Sequence, residues 1–288
     1  MWNQGSPVQA GEAVPFLPIR SYSLKSVHRL FTTLAVRANL ADMKFALISD
    51  IHGNRSALEA VLADIDASGI STVINLGDCL SGPLDAAGTA DLLMARNLPT
   101  VLGNHDRQLF DRPANEMGLW EAWIIDELTD RHITWLRSFE QTIELGDTLF
   151  CHGTADSDDA KWLHVEGPHN RMVHRDLTEV QSQLGKTDAT LIGCGHTHTP
   201  TLLRLPNGPT IVNPGSVGCP AFNDTRVDPP FIHQMGAPDA RYAVVEKVDD
   251  KWRADLLAVP YDPSEMAELA RAKGEEDWAR ALETGWLA

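Results

Sequence analysis

KFALISDIHGN, residues 44–54, is the stretch that decides the fold of this chain. Residues 44–49 form a short run rich in apolar side chains, which predicts a buried β-strand. Asp50 and His52 follow this strand directly, and Gly53 and Asn54 then introduce a helical pattern. Open α/β sheets bind their ligands beyond the carboxyl ends of their strands. The stretch therefore predicts both the first strand of an α/β domain and the first part of a site.

The pattern after this stretch alternates between helix and strand. Apolar residues at helical spacing predict a helix over Asn54–Ser68, which Gly69 ends. A strand over Thr72–Leu76, a helix over Asp85–Arg96 and a strand over Pro99–Leu102 are predicted next. Together with residues 44–49 they make a parallel βαβαβ unit.

The second half of the chain predicts mainly antiparallel strands. Residues 114–139 interrupt the alternation as a tryptophan-rich helical insertion, which either covers the core or forms a lid over the site. A hairpin of Thr142–Leu145 and Thr148–Cys151 follows, and then a helix over Arg171–Leu184. Further strands are predicted at Thr190–Cys194, Thr201–Leu205, Thr210–Asn213, Arg241–Val248 and Trp252–Val259, before C-terminal helices at 263–288. We expect an α/β domain over 43–288.

The first 42 residues differ from the rest in charge. Four basic residues against two acidic ones give this stretch +2, so the remainder of a chain of net charge −16 carries −18. Ser, Thr and Arg without acidic residues over 19–41 are typical of a targeting segment. A native extension or a misassigned start are the alternatives. In each case we expect residues 1–42 to lie outside the core.

The composition excludes several classes of protein. With 43% apolar and 22% charged residues, the 288-residue chain is neither disordered nor, lacking a long apolar run, a transmembrane protein. The acidic surface argues against sequence-independent nucleic-acid binding, but it leaves room for a small phosphorylated substrate at a metal site. Four cysteines without a CxxC pair favour buried thiols in a reducing compartment, hence a cytoplasmic protein. The oligomeric state stays open.

Five short polar motifs each follow a predicted strand: in chain order they are DIH, GD, GNHD, HG and GHTH. Their position after the strands places them at one edge of the fold. Their residue types, imidazole and carboxylate, suit Mn, Fe, Zn or Ni better than Ca or Mg alone. Seven candidate ligands are too many for one tetrahedral ion and suit two ions that share a carboxylate. Two divalent cations and two carboxylates would leave about +2, which attracts phosphate. The candidate metal ligands are Asp50, His52, Asp78, Asn104, His152, His196 and His198.

The order DIH, GD, GNHD, HG and GHTH resembles the calcineurin-like metallophosphoesterase superfamily, and most of all its small bacterial and archaeal phosphodiesterase branch. The resemblance implies a two-sheet αββα sandwich. It assigns Asp50, His52, Asp78 and His198 to a first metal, with Asp78 bridging. It assigns Asn104, His152 and His196 to a second. The candidate catalytic residues are then Asp78 and His105, and His105 would face the substrate and either stabilise the transition state or protonate the leaving oxygen.

Two differences from the protein phosphatases of this superfamily narrow the range of expected substrates. Where those enzymes carry Asp-Arg-Gly just after the bridging Asp, this chain reads Cys79-Leu80-Ser81-Gly82, and their Arg before Gly-Asn-His is Leu102. The arginine pair that clamps a phosphoprotein is thus absent. Ser81 also replaces the Asp that orients the catalytic His in those enzymes. We therefore expect no protein phosphatase activity and only weak general-acid catalysis by His105.

The sequence as a whole predicts a dinuclear metal-dependent phosphodiesterase for a small or nucleotide-like substrate, with attack by a hydroxide that bridges the metals, manganese among the candidates. A phosphomonoesterase and a dinucleoside polyphosphate hydrolase are the enzymatic alternatives, and a non-catalytic scaffold, as in retromer, is the alternative of another class. Asn54, at a predicted helix start, and Ser216, in an Asn-Pro-Gly-Ser turn, are the candidate substrate contacts.

Overall fold

A four-stranded sheet carries the stretch that opens the domain. The computed structural model describes residues 44–168, 171–225 and 230–287, so the predicted extension 1–42 lies outside the described residues. β1 is parallel to β2, with Ala46 opposite Val73, and antiparallel to β12. The strand order is β13-β12-β1-β2, with β1 at Lys44–Ile48, β2 at Val73–Asn75, β12 at Ala240–Val248 and β13 at Lys251–Val259.

The second sheet follows from the later strands of the chain. Its order is β3-β4-β7-β9-β8, and β4 is parallel to β7 as β7 is to β9. The predicted hairpin is present as β3 and β4. The strands are β3 at Thr142–Leu145, β4 at Thr148–Cys151, β7 at Leu191–Gly193, β8 at Thr201–Arg204 and β9 at Thr210–Asn213.

The two faces of β1 show how the layers stack. Phe45 and Leu47 pack in one cluster with Phe150 of the second sheet, whereas Ala46 and Ile48 pack on the other side with Leu58 of helix α1. Alternate residues of a strand point to opposite faces, so β1 lies between the second sheet and a helical layer. Helices α1 at Arg55–Ala67 and α2 at Ala86–Arg96 belong to that layer.

The far face of the second sheet has its own cover. Leu149 and Ile192 pack there against Trp162 and against Val180 of the short helix α6, which spans Leu177–Ser182. The order of layers is helix, sheet, sheet, helix. The predicted αββα sandwich is therefore confirmed.

Residues 114–139 and 263–287 contain short helices that pack together. Trp120 and Trp123 of the first segment pack in one cluster with Trp278 of the second. None of the described helices has the length and apolar character of a membrane span. The helices are α4 at Leu119–Ala122, α5 at Asp130–Leu136, α7 at Ser264–Ala272 and α8 at Glu276–Thr284, with 3₁₀ turns at Ala114–Glu116 and Ile125–Glu127.

Two local predictions were wrong. The predicted strand Pro99–Leu102 makes only two isolated bridges, because Pro99 lacks an N–H and helix α3, Asn104–Asp111, begins just beyond it. The predicted helix Arg171–Leu184 begins as strand β6 at Arg171–His174, paired with β5 at His164–Gly167, and only α6 is helical. A second unpredicted ribbon pairs β10, Ala221–Asp224, with β11, Phe231–Gln234.

Candidate metal centre

Left-handed backbone turns after the strands aim the candidate ligands. Non-glycine residues rarely adopt positive φ, which costs on the order of 1–3 kcal/mol and is often found at functional sites. The strain is held by hydrogen bonds between neighbouring loops, as from Ile51 N to Asp78 O at 2.9 Å and from Gly195 N to His152 O at 2.7 Å. The predicted ligands with positive φ are Asp50 (55°), His52 (51°), Asp78 (56°), His196 (69°) and His198 (52°).

Three of the ligands form what we call the deep cluster: Asp50, His52 and His198. One ligand atom of each lies within 4.8 Å of the others. The two imidazoles face each other with 3.2 Å between their Nε2 atoms, and His198 Nε2 lies 3.4 Å from Asp50 Oδ1. All three side chains are buried.

Three more form the outer cluster: Asp78, His152 and His196, again within 4.8 Å. His152 Nε2 lies 3.1 Å from Asp78 Oδ2 and 3.8 Å from Asp50 Oδ1, which joins the two clusters. Asn104 belongs beside this cluster, because its Oδ1 lies 3.1 Å from His196 Nδ1. The structure thus brings all seven predicted ligands together.

Main-chain carbonyls fix the orientation of three of the imidazoles. His52 Nδ1 lies 2.9 Å from Ser81 O, His152 Nδ1 lies 2.6 Å from Leu76 O, and His198 Nδ1 lies 3.0 Å from Cys219 O. A carbonyl can only accept a hydrogen bond, so each Nδ1 carries the proton. Each Nε2 is then the ring atom directed at the clusters, as in metal-ligating histidines.

Several buried polar atoms in the clusters lack a partner within the protein. Asp50 Oδ1, Asn104 Nδ2 and His152 Nε2 are buried without a hydrogen bond of acceptable geometry, although charged groups lie nearby. Leaving such an atom unpaired costs about 1–3 kcal/mol. The Asp50 and His152 atoms, and the facing nitrogens of His52 and His198, would be satisfied by cations. The nitrogen and oxygen donors therefore fit two divalent cations.

The protonation states suit cation binding. Burial acts to raise the pKa of Asp50, but His198 and His152 outweigh it and lower that pKa to about 2. For Asp78, burial is likewise outweighed by His152 and His105, so its pKa lies well below the ordinary value. Burial lowers the pKa of His52 and of His196 to about 3. The carboxylates are thus ionised and these two imidazoles are neutral. Against the effect of burial, Asp78 raises the pKa of His152 to about 10, and Asp50 raises the pKa of His198 well above its ordinary value. His152 and His198 would therefore release a proton when a cation binds.

Comparison with known proteins identifies the family. The model of the calcineurin-like phosphoesterase superfamily domain matches residues 43–228. The chain belongs to this superfamily. The predicted superfamily is confirmed, and with it a family of phosphoesterases that depend on dinuclear metal centres.

Relatives of this calcineurin-like phosphoesterase include archaeal and bacterial proteins. MJ0912 of Methanocaldococcus jannaschii is 26% identical over 258 residues, which cover 81% of this chain and 94% of that protein. The metallophosphoesterase from Sphaerobacter thermophilus aligns with a TM-score of 0.64 at 24% identity, over 85% of this chain and 100% of that one. PH1004 from Pyrococcus horikoshii aligns with a TM-score of 0.64 at 14% identity, over 85% of this chain and 99% of that one. The two structures share the metallophosphoesterase fold.

His105, the predicted catalytic histidine of this phosphoesterase, lies beside the deep cluster. Its ring is edge-on to that of His52 at 5.7 Å and stacks on Trp120 at 5.0 Å, with the planes inclined by 16°. Its Nδ1 contacts Oε1 of Glu121, a residue of the helical insertion that the sequence reasoning missed. Ser81 instead has its Oγ 3.1 Å from His52 Nδ1. An acid between Trp120 and Trp123 was the available signal of a buried carboxylate.

The two predicted substrate contacts are occupied within the fold. Asn54 Oδ1 caps α1 by accepting from Ala57 N, and its Nδ2 donates to Gly218 O and to the Tyr261 hydroxyl, each at 3.0 Å. Ser216 Oγ donates to the Asp50 carbonyl at 2.7 Å. Both side chains are buried. The structure therefore favours a supporting role for them over contact with a substrate.

Proposed function

We propose that this chain is a dinuclear metal-dependent phosphodiesterase that acts on a small or nucleotide-like substrate. The observation that carries the proposal is the convergence of seven side chains from five separate segments of the chain. Their ligand atoms face one another in a buried site, where Asp50 Oδ1 and His152 Nε2 have no hydrogen-bond partner within the protein. A scaffold protein has no use for such an arrangement, because buried polar groups without partners destabilise the fold.

The roles of the individual ligands follow from their positions. Asp50, His52, Asp78 and His198 would hold one cation, and Asn104, His152 and His196, with Asp78 shared, would hold the other. Asp78 suits the shared position, since one carboxylate oxygen faces His152 while the other accepts from His105 N at 2.9 Å. When bound, two ions of Mn, Fe, Zn or Ni supply activation of a water molecule and electrostatic stabilisation of the phosphoryl oxygens.

The surroundings of the site support a diester rather than a monoester. Arg55 and Arg107 are the arginines adjacent to the motifs, and both are engaged by acids. Arg55 Nη1 lies 3.0 Å from Asp85 Oδ2, and Arg107 Nε lies 2.6 Å from Asp158 Oδ2. A monoester dianion gains most from a bidentate arginine. A diester carries one negative charge fewer and depends on such a clamp less.

The test is a substrate panel with metal analysis and one matched pair of variants. Purified protein loaded with Mn, Fe, Zn or Ni is assayed on an aryl phosphodiester, an aryl monoester and a dinucleoside polyphosphate. We expect diester turnover that falls by about 10³-fold or more in Asp78→Asn. Asp156→Asn, at an exposed acid near the same site, should stay within about twofold.

The other outcomes of the panel decide between the alternatives. A preference for the monoester or for the dinucleoside polyphosphate would replace the diesterase assignment while keeping the metal centre. Ester turnover that is unchanged in Asp78→Asn would point to a scaffold with a contaminating activity.

We further propose a cytoplasmic location for this phosphodiesterase. Its four cysteines are free and buried, Cys79, Cys151, Cys194 and Cys219. Burial raises the pKa of the Cys151 thiol to about 12, which keeps it unreactive. Such thiols are typical of proteins from reducing compartments.

A further inference from the structure

A buried carboxylate from the helical insertion contacts the ring of His105. Glu121 belongs to α4 and is only 1% exposed, and its Oε1 meets His105 Nδ1. Burying an ionised carboxylate is costly unless it is paired with a charge or a hydrogen-bond donor. The contact with His105 provides that compensation, so the carboxylate and the imidazole are placed as a pair.

The chain makes room for this carboxylate. A Cβ at Gly118 would lie 2.6 Å from Glu121 Oε2. The backbone of Gly118 has φ −66°, which any residue can adopt. A side chain at this position would therefore push on the Glu121 carboxylate without straining the backbone.

The residue before Glu121 restrains the same ring from another direction. Trp120 stacks on the face of His105, and Trp120 is itself held by the edge-on ring of Trp278 at 4.9 Å. Stacking fixes the plane of the imidazole, while the carboxylate fixes its rotation within that plane. Two adjacent residues of α4 thus set both angles of the His105 ring.

We propose that Glu121 is a positioning residue for His105. Its carboxylate holds the Nδ1 proton and stabilises the imidazolium, so that Nε2 also carries a proton and directs it to the oxygen of the leaving group. The inference rests on the proposed phosphodiesterase function and identifies how its general acid is held. The orienting acid that Ser81 cannot supply then comes from the insertion, and α4 becomes part of the site.

The proton balance of the step is simple. As the bond from phosphorus to the attacking water oxygen forms, the bond from phosphorus to the leaving oxygen breaks. The leaving oxygen takes the proton from Nε2 of the His105 imidazolium, and the attacking water supplies the proton that restores it. The Nδ1 proton stays with Glu121 throughout, and the carboxylate stabilises the imidazolium beforehand.

The kinetic test uses two methyl aryl phosphodiesters that differ in the basicity of the leaving group. Hydrolysis of the phenyl ester depends on protonation of the leaving oxygen. Hydrolysis of the nitrophenyl ester hardly depends on it, because nitrophenolate leaves without a proton. With the phenyl ester, we expect Glu121→Leu to lower kcat by about 10- to 100-fold. With the nitrophenyl ester, the loss should stay below about threefold. Glu121→Gln, which keeps a hydrogen-bond acceptor, should fall between wild type and Glu121→Leu.

Two further variants separate positioning from simple destabilisation. His105→Asn should show the same dependence on leaving group, and adding Glu121→Leu to it should cause no further loss. Glu116→Gln, at an exposed acid of the same insertion, should behave as wild type. An equal loss on both esters, or a double variant whose losses add, would overturn the proposal.

A spectroscopic readout distinguishes a failure here from a failure of the proposed function. Imidazole ¹⁵N shifts of the full chain should show a proton on Nδ1 of His105 in wild type, whether or not Nε2 is protonated as well, and a mixture of Nδ1-H and Nε2-H tautomers in Glu121→Leu. Hydrolysis by wild type with unchanged shifts and rates in Glu121→Leu would reject Glu121 alone. No hydrolysis of any ester by the metal-loaded wild type would reject the phosphodiesterase and this role together, even if the shifts show the contact.

Discussion

The deep and outer clusters differ in how well they are shielded from solvent. The deep cluster lies under aromatic rings, with Trp120 at 5.2 Å from His52 and Phe222 at 4.9 Å from His198. In the outer cluster the rings of His152 and His196 pack against each other at 5.3 Å, and His196 is partly exposed. The same kinds of ligand therefore experience two environments within one centre.

This asymmetry originates outside the strands that supply the ligands. Trp120 comes from the helical insertion and Trp278 from the C-terminal helix α8, and the two meet over His52. Gly82 leaves room for this cover, since a Cβ there would lie 3.1 Å from the Trp278 ring. Exclusion of water strengthens electrostatic interactions. We therefore predict that the deep cluster would hold a cation more firmly than the outer cluster, whose His196 is partly exposed.

Removal of one ligand from each cluster should give the largest effects. In His52→Ala, the buried deep cluster cannot recruit water in place of the imidazole. Its cation affinity should drop by more than the roughly 10- to 100-fold that loss of a group behind a ligand costs. In His196→Ala, water can take the place of the imidazole, and the loss of cation affinity should stay within about 100-fold. Calorimetric titration with Mn²⁺ or Zn²⁺ measures both.

The exposed His174 provides the control for these variants. His174→Ala should bind two cations with unchanged affinities. Equal losses in His52→Ala and His196→Ala would show that the aromatic cover has no influence on the metal centre.

Chelation should remove the two cations in separate phases. Each cation stabilises the fold by about 4 kcal/mol when its free concentration is 1,000 times its Kd. The outer cation should leave first, without a change in tryptophan fluorescence. The deep cation should leave slowly and with a fluorescence change, because Trp120 and Trp278 contact His52. Loss of both in one fast phase would contradict the proposed difference in access.

The ligands were predictable because the information that places them is local. A strand that ends in Asp-x-His or Gly-Asp carries its polar residues to the same sheet edge whatever the rest of the chain does. The seven candidate ligands were found in this way, whereas the role of His105 came from the family resemblance. Asn104 was found although it proved to be the first residue of α3 rather than part of a loop after a strand.

The features that distinguish the two clusters depend on distant contacts and were not predictable. Glu121 is 16 positions from His105 and is aligned with it only by the packing of the insertion. The ribbons β5–β6 and β10–β11 consist of four-residue strands, whose pairing depends on a partner rather than on their own pattern. The segment Arg171–His174 was predicted as helix for this reason.

A histidine behind the loop that serves both clusters should make stability depend on pH. Both ring nitrogens of His164 are hydrogen-bonded: Nδ1 lies 2.9 Å from Thr197 Oγ1, and Nε2 lies 3.0 Å from Thr201 Oγ1. Burial, reinforced by His174 and Arg175, lowers its pKa from 6.5 to about 4. The unfolded chain therefore binds a proton below about pH 6.5 that the folded chain refuses until about pH 4.

The sign of the effect follows from this proton count. The contribution of neutral His164 to the free energy of unfolding is complete above pH 6.5. It is lost as the pH falls towards 4, and the total loss is about 3 kcal/mol. Urea unfolding of the metal-free protein at several pH values measures the slope, and His164→Gln should reduce it between these limits. A slope that is unchanged in this variant would assign the pH dependence to other groups.

The smallest effect should come from the replacement of Arg107. Arg107 follows His105 by two positions, but its guanidinium also contacts Asp111 Oδ2 at 2.6 Å in addition to Asp158. Its charge is thus compensated before any substrate arrives.

If the positive field of the site comes from the cations, Arg107→Gln should change KM by less than about threefold and stability by less than about 1 kcal/mol. Arg112→Gln, at an exposed residue of the same region, is the control. A KM raised more than about tenfold in Arg107→Gln alone would mean that this side chain leaves its acids for the phosphate, and the outer cluster would then attract substrate through protein charge as well as through its cation.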